Sequence, residues 1–235
     1  MLNNQPLSPH FGAELDAGIE LLHCSDETIE ALKLLVAKEG VLVARNQSMT
    51  PAEQAAFAAR LGELFPSPKP SETVPEGLIQ IKADERSKGA AGTAWHTDVS
   101  SEARPPSISM LRMEVVPPVG GDTLFMDMRQ VFSNLSAKMQ DLLKQLTARH
   151  DPVGHYLYLS GQKALHELPS GHHPIVRQIP ETGDVALYVN EGFTRGIDGL
   201  AESESKFLLR FLFDTIRASV PAQIRVKWQP DTIVF

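Results

Sequence analysis

The chain has 235 residues and a formal net charge of −7, with 22 Lys and Arg against 29 Asp and Glu. This length fits one large domain with its own core, and the acidic balance argues against a nucleic-acid-binding surface, which needs a basic stripe. No apolar run is long enough to cross a bilayer, and the N-terminus does not have the pattern of a signal peptide. Cys24 is the only cysteine, so no internal disulfide can form. The composition therefore indicates a cytoplasmic protein without nucleic-acid or membrane partners.

Helices are predicted near both ends of the chain. Ser25 is a favourable N-cap for a first helix. Thr50-Pro51-Ala52-Glu53 is a capping box with proline at the first helical position, so a second helix is expected there. A third helix is predicted after Ser136, and a fourth carries the apolar residues between Phe207 and Ile216.

Short apolar segments between these helices are predicted to be strands. They lie at 41–44, 78–82, 108–116, 123–126, 174–178, 186–189, 224–228 and 232–235. Glu181 to Asp184 is a hairpin signal, whereas 84–93 is predicted to be a loop and 152–171 a lid-like excursion. Strands and helices do not alternate regularly, which disfavours a doubly wound parallel sheet. The pattern favours a mixed α+β fold with a double-stranded β-helix (jelly-roll) core and flanking helices.

Trp95-His96-Thr97-Asp98 is the stretch that indicates chemistry. In an extended segment, residues at positions i and i+2 point to the same side, so His96 and Asp98 can reach one metal ion together. Imidazole and carboxylate suit Fe(II), and a second histidine from a distant strand would complete a facial triad. A His-x-Asp pair also arises by chance, and an isolated one is more often structural or exposed than metal-binding.

Several segments occur in an order that resembles the taurine-dioxygenase-like (TauD/TfdA) family. They are Phe11–Leu15, Gly40–Gln47, Leu61–Leu64, the motif Trp95–Asp98, Pro117–Thr123, His173–Arg177 and Leu187–Asn190. The similarity runs from about Phe11 to the last residue. It implies a dioxygenase that uses Fe(II), 2-oxoglutarate and O₂, releases succinate and CO₂, and hydroxylates an unactivated C–H bond of a small polar or anionic organic substrate. It also implies a homo-oligomer.

The resemblance assigns roles to the iron and co-substrate residues. It implies that His96 and Asp98 bind the iron and that Thr123 hydrogen-bonds the distal carboxylate of 2-oxoglutarate. The plain alternative for Thr123 is a β-branched residue of a strand. The family's third ligand, a histidine, and an arginine that pairs with 2-oxoglutarate are expected beyond Phe235. The sequence therefore predicts a single dioxygenase domain over 1–235 that lacks its C-terminal end.

The resemblance is less informative about the substrate. It implies that Tyr156 and Phe193 line the substrate pocket, and His155 lies near its mouth, where it could meet a polar or anionic group. Core packing is the alternative for the two aromatic side chains. Positions where the taurine enzyme makes polar substrate contacts are here Ser67, Pro70 and Gly92. Taurine itself is therefore not the expected substrate.

Two other functions stay open at this point. One is a catalytically inactive jelly-roll binding protein of the same family, and the other is a metalloenzyme that does not use a keto acid. His172 and His173 are the nearest candidates for a replacement ligand, but the family's histidine at this place is not a ligand, so neither is predicted to bind iron.

Overall fold

The computed structural model describes residues 2–66, 71, 73–82, 92, 94–152 and 168–235. The helices in these ranges are α1 (Asp26–Glu39), α2 (Pro51–Leu61), α3 (Met128–Ser133), α4 (Ala137–Leu143) and α5 (Glu202–Ala218), with 3-10 turns at Leu21–His23 and Val220–Ala222. The predicted mixture of helices and strands is confirmed. Within the described part, no helix is long and apolar enough to span a membrane.

Side-chain caps set where the first two helices begin. The Ser25 hydroxyl accepts a hydrogen bond from the Thr28 backbone N–H at 3.2 Å. In α2 the Thr50 hydroxyl accepts from the Glu53 N–H at 3.2 Å, and the Glu53 carboxylate accepts from the Thr50 N–H at 2.8 Å. These bonds satisfy N–H groups that have no partner inside the helix, so both predicted helix starts are confirmed.

Short strands form four sheets in the described residues. They are β1 (Asn4–Pro6), β2 (Ala13–Leu15), β3 (Leu42–Ala44), β4 (Leu111–Arg112), β5 (Thr123–Met126), β6 (Thr147–His150), β7 (Gly171–Pro174), β8 (Val176–Gln178), β9 (Val185–Leu187), β10 (Thr194–Ile197), β11 (Gln223–Val226) and β12 (Ile233–Val234). The largest sheet has the order β1-β2-β3-β12-β4, and the others are β10-β6-β7, β11-β5 and β8-β9. Of these pairs only β2 and β3 are parallel.

The central strands β3 and β12 of the largest sheet are buried on both faces. Leu42 and Ile233 belong to an apolar cluster with α1 and α2, whereas their chain neighbours Val43 and Val234 belong to a second cluster on the opposite face. Alternation of this kind follows from the two-residue period of a strand. A third cluster packs α5, through Leu212 and its neighbours, against residues of β6, β9 and β10.

Among the strand predictions, one hairpin is confirmed, one strand is wrong and one strand is much shorter than predicted. The predicted hairpin is present, since β8 pairs antiparallel with β9 across 181–184. The predicted strand at 78–82 is wrong: the segment has no strand, and Ile81 is 64% exposed. The segment 108–116 is a strand only at Leu111–Arg112, while Met110 and Met113 pack against different clusters. Its apolar pattern therefore reflects a few half-buried side chains more than a long ladder of backbone hydrogen bonds.

One helix was not predicted, and two predictions concern segments that are largely outside the described residues. Helix α3 begins after Asp127, whose carboxylate accepts the backbone N–H of Arg129 at 3.0 Å. Of the predicted loop 84–93 only residue 92 is described, and 153–167 of the predicted lid-like excursion lie outside the described ranges. The excursion ends differently from the prediction, because Gly171 already belongs to β7.

Candidate metal-binding site

The segment 95–101 brings His96 and Asp98 together as the i, i+2 spacing predicts. Nε2 of His96 lies 3.5 Å from Oδ1 of Asp98. The two side chains are 32% and 51% exposed, so the pair can be reached from solvent. The structure thus shows the juxtaposition, while the role of both residues as metal ligands stays a prediction.

Each member of the pair is oriented by a further hydrogen bond. Nδ1 of His96 lies 2.9 Å from the carbonyl oxygen of Ala94. Because a carbonyl oxygen can only accept, Nδ1 carries the proton, and a neutral His96 presents the lone pair of Nε2 to Asp98. On the carboxylate, Oδ2 accepts from the Ser109 hydroxyl at 2.5 Å, which turns Oδ1 toward His96. Protein metal ligands are commonly oriented by such second hydrogen bonds.

Nε2 of neutral His96 and Oδ1 of Asp98 are both acceptor atoms, so a proton or a cation between them is favourable. The hydrogen bond to Asp98 raises the pKa of His96 above its ordinary value, against the opposing effect of burial. A proton therefore occupies this place readily, and a divalent metal would displace it, because histidine binds metals in its neutral form. Neighbouring ligands of a small octahedral ion, each about 2.1 Å from the metal, lie roughly 3 Å apart. The observed separation of 3.5 Å is close to this spacing, and imidazole and carboxylate are ligand types that suit Fe(II).

The backbone just after the pair is strained. Val99 has φ of +45°, a left-handed conformation that a β-branched residue rarely adopts and that costs on the order of 1–3 kcal/mol. Such strain persists only where the surrounding structure enforces it. The next residue, Ser100, is fully buried and hydrogen-bonded.

Thr123 lies at the start of β5, opposite Val226 of β11. Its hydroxyl oxygen accepts a hydrogen bond from the indole Nε1–H of Trp228 at 2.9 Å. A hydroxyl that accepts in this way keeps its own proton to donate. The geometry is suited to a carboxylate acceptor, and the contact with 2-oxoglutarate stays a prediction.

Phe193 follows a glycine that touches the metal motif. The backbone N–H of Gly192 donates to the carbonyl oxygen of Trp95 at 3.4 Å, and Phe193 itself is only 4% exposed. The placement beside the motif agrees with a pocket position, whereas the low exposure agrees with core packing, so both interpretations stand. Tyr156 and His155 lie outside the described residues.

A third ligand is not found in the described part of the chain. There, no group of three or more His, Cys, Asp or Glu side chains is arranged to hold a metal ion. The two histidines of β7 have other partners: Nδ1 of His172 lies 2.8 Å from a carboxylate oxygen of Asp198, and Nε2 of His173 donates to the carbonyl oxygen of Glu102 at 3.0 Å.

Comparison with known proteins identifies the family of this chain. The family model described as "Taurine catabolism dioxygenase TauD, TfdA family" matches residues 3–235. The chain belongs to the TauD/TfdA dioxygenase family. The predicted family is thereby confirmed over nearly the whole chain.

Two relatives are named as alpha-ketoglutarate-dependent dioxygenases. A Saccharomyces cerevisiae protein named alpha-ketoglutarate-dependent sulfonate dioxygenase is 34% identical over 100% of this chain and 60% of its own length. The alpha-ketoglutarate-dependent dioxygenase cnsM of Penicillium expansum is 32% identical over 97% of this chain and 68% of its own. The crystal structure of a taurine dioxygenase from Burkholderia xenovorans superposes with a TM-score of 0.81 at 28% identity, covering 99% of this chain and 79% of that one. This TauD/TfdA chain thus spans about 60% of the length of the yeast relative.

Sequence reasoning missed Ser109, which is bonded to the pair, and Ser100, which follows it. The local signal for Ser109 was its hydroxyl side chain between the apolar residues Ile108 and Met110. Ser100 continues the i, i+2 spacing of His96 and Asp98 by one more step. Its partners His150 and Asn190 are 50 and 90 residues away in the sequence, and no local pattern connects them to the motif.

Proposed function

We propose that the protein is an Fe(II)- and 2-oxoglutarate-dependent dioxygenase. The observation that carries this proposal is the pair of His96 Nε2 and Asp98 Oδ1, 3.5 Å apart and each fixed by a second hydrogen bond, in a chain of the TauD/TfdA family. Together the two side chains hold the iron, with a third ligand from outside the described residues. The sheets belong to one jelly-roll domain, in keeping with the similarity to the Burkholderia xenovorans structure.

When bound, the iron and 2-oxoglutarate supply the oxidising chemistry, in which O₂ is consumed, succinate and CO₂ are released and a C–H bond is hydroxylated. The task of the polypeptide is to orient these groups. The Ala94 carbonyl keeps the proton of His96 on Nδ1, and Ser109 holds one carboxylate oxygen of Asp98. Thr123 donates its hydroxyl proton to a carboxylate oxygen of 2-oxoglutarate.

The substrate is a small polar or anionic organic molecule, and an organosulfonate is the class that the comparisons support. The yeast relative is named for sulfonates, and the Burkholderia xenovorans protein for taurine, which is itself a sulfonate. Phe193, Tyr156 and His155 are the residues proposed to contact it. The protein acts as a homo-oligomer on this substrate, without a nucleic-acid or membrane partner.

An anaerobic titration of the full-length protein with Fe(II) and 2-oxoglutarate tests the proposal. A visible charge-transfer band that saturates with both components is expected for the parent protein. Asp98→Ala lacks a ligand and is expected to give neither the band nor succinate. A folded parent protein without the band would contradict the proposal, and Mn(II) binding would then separate a keto-acid-independent metalloenzyme from an inactive binding protein.

A further inference from the structure

A group of buried polar side chains lies directly behind the metal motif. Ser100 and His150 are fully buried, and Asn190 and Thr194 are 6% and 2% exposed. His150 is the last residue of β6 and Thr194 the first of β10, so the group sits where these two strands pair. Buried polar groups are costly unless they are hydrogen-bonded, and a fully bonded network fixes one geometry.

The hydrogen bonds of this group can be assigned a direction. Oδ1 of Asn190 accepts from the Phe193 N–H at 2.8 Å, which fixes the orientation of the amide, and its Nδ2 donates to the Ser100 hydroxyl oxygen at 3.1 Å. The Ser100 hydroxyl therefore donates its proton to Nδ1 of His150, 3.0 Å away. His150 then carries its own proton on Nε2, which faces the Thr194 hydroxyl at 3.5 Å. Ser100 is thus bonded on both sides by buried partners.

Two glycines let neighbouring backbone lie against the same segment. A Cβ atom at Gly192 would come within 2.8 Å of the Cβ of His96. A Cβ atom at Gly171 would come within 2.8 Å of the carbonyl oxygens of Ser101 and Glu102. Any larger residue at either position would displace the segment, so both ends of 95–102 are in close contact with the chain behind them.

We propose that Ser100 is a positioning residue for the metal-binding pair, an inference that rests on the proposed function. Its two hydrogen bonds anchor the segment 95–102 immediately after the strained turn at Val99. Asp98 lies on the other side of this turn, and its distance to His96 depends on the turn being held. Without the anchor, Val99 can relax to an ordinary backbone conformation, and Asp98 moves away from His96.

The chain offers a matched pair of variants for the test. Ser100→Ala removes the anchoring hydroxyl. Ser101→Ala removes the same group from the next residue, which is equally buried but whose hydroxyl has no hydrogen-bond partner among the described residues. The measurement is the affinity of the metal-free, full-length protein for Mn(II) alone, read from the electron paramagnetic resonance signal of unbound Mn(II), with urea unfolding in parallel. We expect Ser100→Ala to weaken Mn(II) binding about tenfold and Ser101→Ala to leave it unchanged.

A second pair covers the case in which Ser100→Ala does not fold. Gly192→Ala removes no hydrogen-bonding side chain, but its added methyl group would lie 2.8 Å from the Cβ of His96 and 3.2 Å from Oδ1 of Asn190, so it would displace the pair and the network behind it. Gly196→Ala places the same methyl group where no atom lies within 4 Å, and neither glycine has a positive φ. Weaker Mn(II) binding is expected for Gly192→Ala and parent-like binding for Gly196→Ala.

The outcomes separate this inference from the proposed function. Mn(II) binding that is unchanged in a folded Ser100→Ala would overturn the positioning role and leave the proposed function standing, and unchanged binding in Gly192→Ala would do so where Ser100→Ala does not fold. The positioning role is also overturned if both serine variants lose affinity in proportion to their loss of stability, because Ser100 would then be only structural. A parent protein that binds no Mn(II) contradicts the proposed function, and the positioning role with it.

Discussion

Acidification is expected to destabilise the fold through His150. Burial lowers the pKa of this side chain from 6.5 to about 4, and the nearby positive charges of His173, Arg195 and Arg177 act in the same direction, opposed by Asp151. In the unfolded chain, His150 takes up a proton near its ordinary pKa, whereas in the folded protein it does not until about pH 4. Between these values the unfolded state binds more protons, so a fall in pH favours unfolding.

The size of the effect follows from the two pKa values. The pKa of His150 is 6.5 in the unfolded state and about 4 in the folded state. Proton linkage then lowers the free energy of unfolding by about 2 kcal/mol between pH 7 and pH 5. A typical domain is stable by about 5–15 kcal/mol, so this loss is measurable. Burial also lowers the pKa of His173, which adds to the loss. The raised pKa of His96 opposes it, because that group contributes stability when it is protonated.

Urea unfolding followed by circular dichroism, at a series of pH values from about 4.5 to 7.5, measures this effect. The comparison is with His150→Phe, which keeps a ring to stack on Tyr188 but cannot titrate. Loss of the hydrogen bond with Ser100 lowers its stability by about 1–3 kcal/mol at every pH. The plot of its unfolding free energy against pH should be lower but flatter than that of the parent protein. Equal pH dependence in the two proteins would refute the assignment to His150.

Three further substitutions have expected outcomes. Ser109→Ala removes the hydrogen bond that turns Asp98 toward His96 and is expected to weaken Mn(II) binding about tenfold. Isothermal titration calorimetry measures the Mn(II) affinity, and a parent-like value would argue against an orienting role for Ser109. Thr123→Val keeps the shape of the side chain but removes its proton donor, so the dissociation constant of 2-oxoglutarate should rise about tenfold or more. Titration of the charge-transfer band measures this constant, and an unchanged value would leave Thr123 as a strand residue only. Ile233→Ala, at a position with no exposure between β3 and β4, should lower the free energy of unfolding by about 2–5 kcal/mol; a loss below about 1 kcal/mol in urea unfolding would contradict its central place in the core.

Local sequence signals predicted the helices better than the strands. A cap such as Thr50 with Glu53 is complete within four residues and can be read directly, as the two hydrogen bonds between them show. A strand also depends on its partner, which no local pattern identifies. The segment 108–116 illustrates this, because its backbone pairs with β12 at only two positions although Met110 and Met113 pack against clusters on different sides.

The candidate site shows the same division between local and distant information. The approach of His96 to Asp98 follows from a spacing of two residues, and it was predicted. The groups that fix the pair could not be predicted, since Ser109 is 11 residues further along and the partners of Ser100 come from two other parts of the chain. The family resemblance supplied roles, whereas the orientation of each side chain came only from the tertiary structure.

The segment 95–100, which contains His96 and Asp98, is bonded to residues at two sheets that share no strand. On one side, Ser109 holds the carboxylate of Asp98 two residues before β4 of the largest sheet. On the other side, Ser100 is bonded to His150 of β6, in the sheet β10-β6-β7. The distance between Nε2 of His96 and Oδ1 of Asp98 therefore depends on how both sheets are placed, and not on the motif alone. Because side chains in a packed core transmit displacement with little compression, a substitution in the core of either sheet should alter metal affinity even where it touches neither ligand.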